Sequence, residues 1–228
     1  GKLMRVAQRT TAIGVVALAA LAWTSLTVAA IVTTPTIMER PVAEGPQVWQ
    51  QLSPEELAGI GYFRKENCAA CHATGSGQAS VGPDLTRIAV RKTAAWMIAH
   101  FKLPQQLVPG SSMPSIQLSD SQLNALAAFL LRLTPRNAEA LQSAPAFAVE
   151  GAMVYQAHRC GACHQVNGMG MKLGPTLNGV ARRRTAEWIQ QHFLEPQKLS
   201  PGTVMPAYRF SPRETERITN YLLSLPAQ

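Results

Sequence analysis

Apolar and polar positions along the 228 residues fall into runs of different kinds, and each predicts a different element. From Thr10 through Met38 there is no charged side chain, and Ala12 to Val32 is almost wholly apolar. That run exceeds the ~7–15 residues of a signal-peptide core and matches the ~20 that cross a bilayer as a helix. Residues 1–38 are therefore expected to form a short N-terminus and a transmembrane anchor. Val28-Ala29-Ala30 is the small-residue site that a cleaved leader would use; an uncleaved anchor is the expectation. Polar and proline residues without period follow, and predict a tether over 39–52 that reaches about 50 Å at ~3.3 Å per residue. Beyond it the spacing becomes helical. Ser53-Pro54-Glu55-Glu56, Ser119-Asp120-Ser121-Gln122 and Ser211-Pro212-Arg213-Glu214 each fit a capping box, two of them with Pro at the first helical position. The last two open helices with apolar residues at Leu123, Leu126, Leu130 and at Ile218, Leu222, Leu225. The expected fold class is all-α.

All four cysteines fall in two Cys-x-x-Cys-His units, Cys68-Ala69-Ala70-Cys71-His72 and Cys160-Gly161-Ala162-Cys163-His164. This is the attachment signature of c-type haem, in which two thiols bond the vinyl groups and the histidine lies under the iron. A zinc half-site, a redox dithiol or a tight disulfide would not need the histidine, and a zinc ribbon would place its second pair within ~20 residues. A thioredoxin-like motif would sit in a βαβ pattern, whereas the flanks here have helical period.

The second unit follows the first by 92 positions, and the same shift carries Gly82-Pro83 onto Gly174-Pro175 and Trp96 onto Trp188. It also carries His100 onto His192, Pro109-Gly110 onto Pro201-Gly202, and Met113-Pro114 onto Met205-Pro206, with no insertion anywhere. An internal duplication follows, with each copy of single-domain size. The expected organisation is a first domain over 53–134, a linker over 135–148 and a second domain over 149–228, carrying two covalent haems.

A low-spin haem takes a sixth ligand, and a methionine thioether is a common partner of histidine. Met113 and Met205 are the candidates, each in a Pro-Gly-x-x-Met-Pro stretch that cannot be regular helix and can form a loop over the haem. Met169 and Met171 have no counterpart in the first copy and read as loop residues, Met97 and Met153 as packing. A backbone carbonyl near Gly82-Pro83 or Gly174-Pro175 is suited to orient each histidine through its other ring nitrogen. His100 and His192 lie four residues after a tryptophan on one helical face, where a local hydrogen bond is the expectation; haem contact and alternative ligation are the other readings.

These motifs together resemble the class I cytochromes c over about three quarters of the chain. The resemblance implies that the carbonyls of Pro83 and Pro175 accept from the proximal histidines His72 and His164. It makes Arg91, Arg183, Trp96 and Trp188 candidate partners of the haem propionates. It also implies that first and last helices of each domain cross where a glycine meets an aromatic residue, at Gly59 with Phe63 and Phe129, and at Gly151 with Tyr155 and Tyr221. The tandem arrangement is similar to cytochrome c4, and to di-haem c subunits of quinol–cytochrome c reductase and of cbb3-type oxidase.

Charge refines the partners. The chain is formally +8, and from Pro135 onward 10 Lys and Arg stand against 6 Asp and Glu, with Arg182, Arg183 and Arg184 in a row. Such a surface steers an acidic redox partner. No nucleic-acid motif accompanies it, so no nucleic acid is expected. Lys2, Arg5 and Arg9 before the apolar run put the N-terminus in the cytoplasm and the haem domains in the periplasm, on a single-pass protein of the inner membrane. The expected function is electron transport in a respiratory or photosynthetic complex, relaying electrons from a cytochrome b/Rieske-type quinol-oxidising core. The alternative is the electron-receiving subunit of a terminal oxidase core or membrane dehydrogenase. A di-haem peroxidase is remote, because both copies offer a Met-Pro loop that would close the peroxide site. The chain is expected to carry electrons and not to be an enzyme itself.

Overall fold

Serine caps set where the main helices begin. The computed structural model describes residues 47–75 and 81–227. In it α1, Pro54–Lys65, starts at Ser53, whose hydroxyl accepts from the Glu56 N–H at 3.1 Å while the Glu56 carboxylate accepts from the Ser53 N–H at 2.8 Å. After α1 the chain turns through left-handed Asn67 (φ 53°) into the first cysteine unit. Helix α2, Ala94–Lys102, and the single turn α3, Pro104–Leu107, follow, and then α4, Asp120–Arg132, which is capped by Ser119 and Gln122. Helix α5, Ala138–Gln142, lies between the two copies. The second copy repeats the order as α6, Ala146–Ala157, α7, Ala186–Leu194, α8, Pro196–Leu199, and α9, Pro212–Ser224. Its corner after α6 is left-handed at Arg159 (φ 53°). The described residues contain no named strand, only an isolated bridge between Val166 and Met169.

Each copy is built on a close crossing of its first and last helices. A Cβ at Gly59 would overlap the Ala125 carbonyl and come within 2.6 Å of Phe129 Cβ, so α1 and α4 meet backbone to backbone. Gly151 does the same for α6 against α9, where a Cβ would overlap Tyr221 Cβ and the Arg217 carbonyl. Edge-on aromatic pairs flank both crossings, Phe63 with Phe129 at 5.5 Å and Tyr155 with Tyr221 at 6.3 Å. The core continues through Leu57, Leu123, Leu126 and Ile218, all almost fully buried.

The copies are joined by packing as well as by chain. Helix α1 lies along α6, with Met153 filling the space above Gly61. The segment expected as a linker is largely buried: Ala138, Leu141 and Ala144 are in the core, and the Gln142 amide donates to the Thr74 carbonyl at 2.6 Å and accepts from its hydroxyl at 3.0 Å. The end of the expected tether also departs from an extended chain. Val48–Gln51 is a 3-10 turn with Trp49 and Leu52 buried. It is fixed to the second copy by Asn167, which donates to the Gln50 and Leu52 carbonyls at 2.7 Å each, and by Gln50, which donates to the Ser224 carbonyl at 2.9 Å. Contacts over more than a hundred residues of sequence hold this segment, and local periodicity carries no trace of them. The expected anchor over 1–38 lies outside the described residues, as does the tether up to residue 46; no helix among the described residues is long and apolar enough to cross a membrane.

Candidate functional site: two matching cofactor cavities

Each cysteine unit opens as a 3-10 turn, Cys68–Ala70 and Cys160–Ala162. The histidine that follows is pinned back onto it, because His72 N–H donates to the Cys68 carbonyl at 3.0 Å and His164 N–H to the Cys160 carbonyl at 2.9 Å. The Gly-Pro segment then folds over the turn: Gly82 N–H reaches the Cys71 carbonyl at 2.7 Å and Gly174 N–H the Cys163 carbonyl at 2.8 Å. Only glycine allows this approach, since a Cβ would come within 2.6 Å of the His72 or His164 ring. The result is a fixed imidazole. Nδ1 of His72 lies 2.9 Å from the Pro83 carbonyl and Nδ1 of His164 lies 2.9 Å from the Pro175 carbonyl. A carbonyl only accepts, so the bonding proton sits on Nδ1, and in the neutral ring Nε2 keeps the lone pair.

A second part of each cavity lining is a loop with equal definition in both copies. Gly110 (φ +82°) and Gly202 (φ +83°) turn the chain in a conformation that side chains resist. Met113 N–H donates to Ser111 Oγ and Met205 N–H to Thr203 Oγ1, both at 3.2 Å. Gln105 and Gln197 each brace the methionine backbone, donating to the Met113 carbonyl at 2.7 Å and to the Met205 carbonyl at 3.0 Å. These glutamines escape a motif search. Their signal is equivalence, a Pro-Gln pair eight residues before the methionine in both copies.

The cavities measure about 510 Å³ in the first copy and about 600 Å³ in the second. Both fall in the range of cofactor pockets. Cysteines, histidine, Gly-Pro segment, arginine, tryptophan and methionine of each copy line one cavity. Burial above all pushes the Cys68 thiol up to about 11 and the Cys160 thiol up to about 12. Among the described residues no disulfide joins the four cysteines, and no group of three or more His, Cys, Asp or Glu side chains is placed to hold a metal ion.

The remaining candidates stand at the cavity edge. Arg91 donates to the Asp84 carbonyl at 3.3 Å, and Arg183 to the Thr176 carbonyl at 2.9 Å and the Asn178 carbonyl at 3.1 Å. Trp96 lies flat against His100 (centroids 4.7 Å, 14° between planes) with Lys92 Nζ 4.0 Å from its ring centroid. Trp188 repeats this with His192 (4.5 Å, 14°) and Arg184 Cζ at 4.3 Å. The local hydrogen bond expected for the two histidines is not formed at Nδ1, which is buried and unpaired among the described residues in both. Met169 and Met171 are more than half exposed on a turn and do not line the cavity. Met97 is buried in the core and Met153 packs against it. Sequence reasoning left His158 without a role; it stands 3.6 Å from Glu214, edge-on to Tyr208 and Phe210.

A thiol pair, an oriented histidine and a methionine loop around one apolar cavity define a c-type haem domain, and the chain has this arrangement twice. It belongs to the cytochrome c family, whose model matches residues 57–134 and again 148–226. The cofactor of such domains is covalently attached haem c and their work is electron transfer. Among curated proteins the chain is similar to cytochrome c oxidase subunit 2 of Alkalihalophilus pseudofirmus, 31% identical over 98 residues, which is 39% of this chain and 29% of that protein. The chain thus spans less than a third of the length of the curated relative it matches.

Proposed function

We propose that the chain is a di-haem electron-transfer subunit of a membrane respiratory or photosynthetic complex, passing single electrons between the complex and an acidic redox partner. The observation that carries this is the repeated geometry: in both copies one apolar cavity is lined by an imidazole held at Nδ1 and by a methionine loop. When bound, haem c supplies one-electron exchange at its iron. The residues supply the rest. Cys68 and Cys71 hold one haem, and Cys160 and Cys163 a second. His72 and His164 offer Nε2, kept in one orientation by Pro83 and Pro175. Met113 and Met205 offer thioether sulfur from loops whose backbone Gln105 and Gln197 brace. Arg91, Arg183, Trp96 and Trp188 serve the propionate edge.

The uncharged run over 10–38 supports anchoring to the inner membrane with the haem domains in the periplasm. Charge supports the second domain as the docking side. Its cavity is lined by Arg159, Arg183 and Arg184, with Lys172 and Arg182 exposed in the same domain, whereas the first is lined by Glu66, Arg91 and Lys92. An acidic partner gains steering at the second and little at the first. The host complex proposed is a cytochrome b/Rieske-type quinol oxidase, with this chain as its output arm. The similarity to an oxidase subunit 2 favours a second reading, the electron-receiving arm of a terminal oxidase.

Gentle purification from native membranes with mass spectrometry of the co-purifying subunits tests the proposal. Cytochrome b and an iron–sulfur protein support the first reading, and a haem–copper subunit the second. Recovery of the chain alone in the soluble fraction overturns both.

A further inference from the structure

His100 and His192 are the cavity residues to which the haem-holding set gives no role. Three observations coincide at both. Each ring lines its cavity. Each lies flat on a tryptophan that also carries a cation one turn earlier in sequence, which fixes the imidazole plane. Each has Nδ1 buried with no hydrogen-bond partner among the described residues.

The tautomer follows. Buried N–H groups without an acceptor are rarer in proteins than acceptors with a spare lone pair, so the unpaired Nδ1 holds the lone pair and the proton sits on Nε2. A protonated ring would add an unpaired buried donor. Burial above all, with Lys92 or Arg184 close by, disfavours that form and holds both imidazoles below their ordinary value. His100 and His192 are thus neutral and of the opposite tautomer to His72 and His164, whose protons are on Nδ1.

We infer that His100 and His192 are positioning residues that donate an Nε2–H hydrogen bond into the loaded cavity, to a haem carboxylate or to the thioether of Met113 or Met205, and that neither serves as a reserve ligand to iron. The lone pair a ligand would need is on the nitrogen turned into packed protein. This rests on reading both cavities as haem sites.

The test uses the full holoprotein with His192→Phe, His192→Gln and Met205→Ala, alone and combined. Redox titration of His192→Phe is expected to change the one-electron reduction equilibrium of the second haem by up to about tenfold, or ~59 mV, and leave the first unmoved. His192→Gln, which keeps a donor, should recover most of the change. The acceptor shows in the spectrum. A thioether acceptor alters the methionine-to-iron charge-transfer band, and a carboxylate acceptor leaves that band and changes the pH dependence of the potential. Met205→Ala should show no bis-histidine electron paramagnetic resonance signal. An unshifted potential in His192→Phe overturns the inference, as does a bis-histidine signal in Met205→Ala that the added His192→Phe abolishes. Should His192→Phe fail to fold, His192→Gln with Met205→Ala still decides the ligand question, and His100→Phe repeats the potential test in the first domain. Failure of the underlying reading looks different: the unaltered protein would carry no covalent haem spectrum.

Discussion

The Tyr155 hydroxyl donates to the His164 carbonyl at 2.9 Å, tying helix α6 to the turn that carries the second histidine. The first copy has Phe63 in the equivalent place and has no hydroxyl to make this bond. Tyr155→Phe should therefore make the second domain resemble the first. A neutral hydrogen bond contributes ~1 kcal/mol, so the second domain should lose about that much. Domain-resolved hydrogen exchange checks it: protection should fall around residues 160–164 and stay unchanged around 68–72.

Gly59 and Gly151 admit a sharper outcome. A methyl group at either position would meet backbone carbonyl oxygen on the crossing helix, Ala125 or Arg217, and backbone yields less than a flexible side chain. Overpacking of this kind costs about 1–3 kcal/mol or more. Gly59→Ala should lower the thermal midpoint and haem yield of the first domain, and Gly151→Ala those of the second. Gly161→Ala is the control, because its Cβ would meet only Tyr155 at ordinary contact, 3.6 Å. A Gly59→Ala protein with the parent's midpoint would show that α1 and α4 are not this close.

Asn167 holds residues 47–52 to the second copy through one side-chain amide and two carbonyls, and its own φ of 49° is left-handed. Asn167→Gly removes the amide while relieving the backbone, which separates the two effects. The expected result is faster proteolysis between residues 47 and 52 with both haem spectra retained. Asn167→Ala should do the same at lower overall stability, since alanine adds ~1–2 kcal/mol of left-handed strain.

Legibility in the sequence followed the range of the interaction. Capping boxes at Ser53, Ser119 and Ser211 are local, and all three helices start there. The helix crossings came through resemblance, carried by Gly59 and Gly151 recurring at one offset beside aromatic residues. The Pro83 and Pro175 carbonyls came through resemblance, and geometry places both at 2.9 Å from their histidines. What stayed hidden lacks a local pattern. Trp49 and Leu52 are buried on a segment that Asn167 holds from more than a hundred positions away, and Gln142 bonds Thr74 across 68 positions. The unpaired Nδ1 of His100 is a property of its packed surroundings, and the sequence shows only a histidine on a helix.

The capping boxes of the two terminal helices differ in one chemical respect, and pH exposes it. Helix α4 is closed by the amide of Gln122, which does not titrate, whereas α9 is closed by the carboxylate of Glu214. The Ser211 hydroxyl at 2.7 Å, the Ser211 N–H at 2.9 Å and then His158 hold the Glu214 carboxyl below its ordinary value. A carboxyl with a folded pKa below its unfolded one contributes stability that is fully present above the unfolded pKa. That contribution is lost as pH falls through the folded one. Acidification should therefore loosen the start of α9 before that of α4, read as hydrogen exchange at residues 212–216 against 120–124 from pH 6 to about pH 3. Glu214→Gln should remove the difference by giving α9 the amide box that α4 already has. Ser211→Ala should cost about 1 kcal/mol at neutral pH and less once the carboxyl is protonated. Equal acid sensitivity of the two helix starts in the parent protein would show that the Glu214 contacts add nothing to stability.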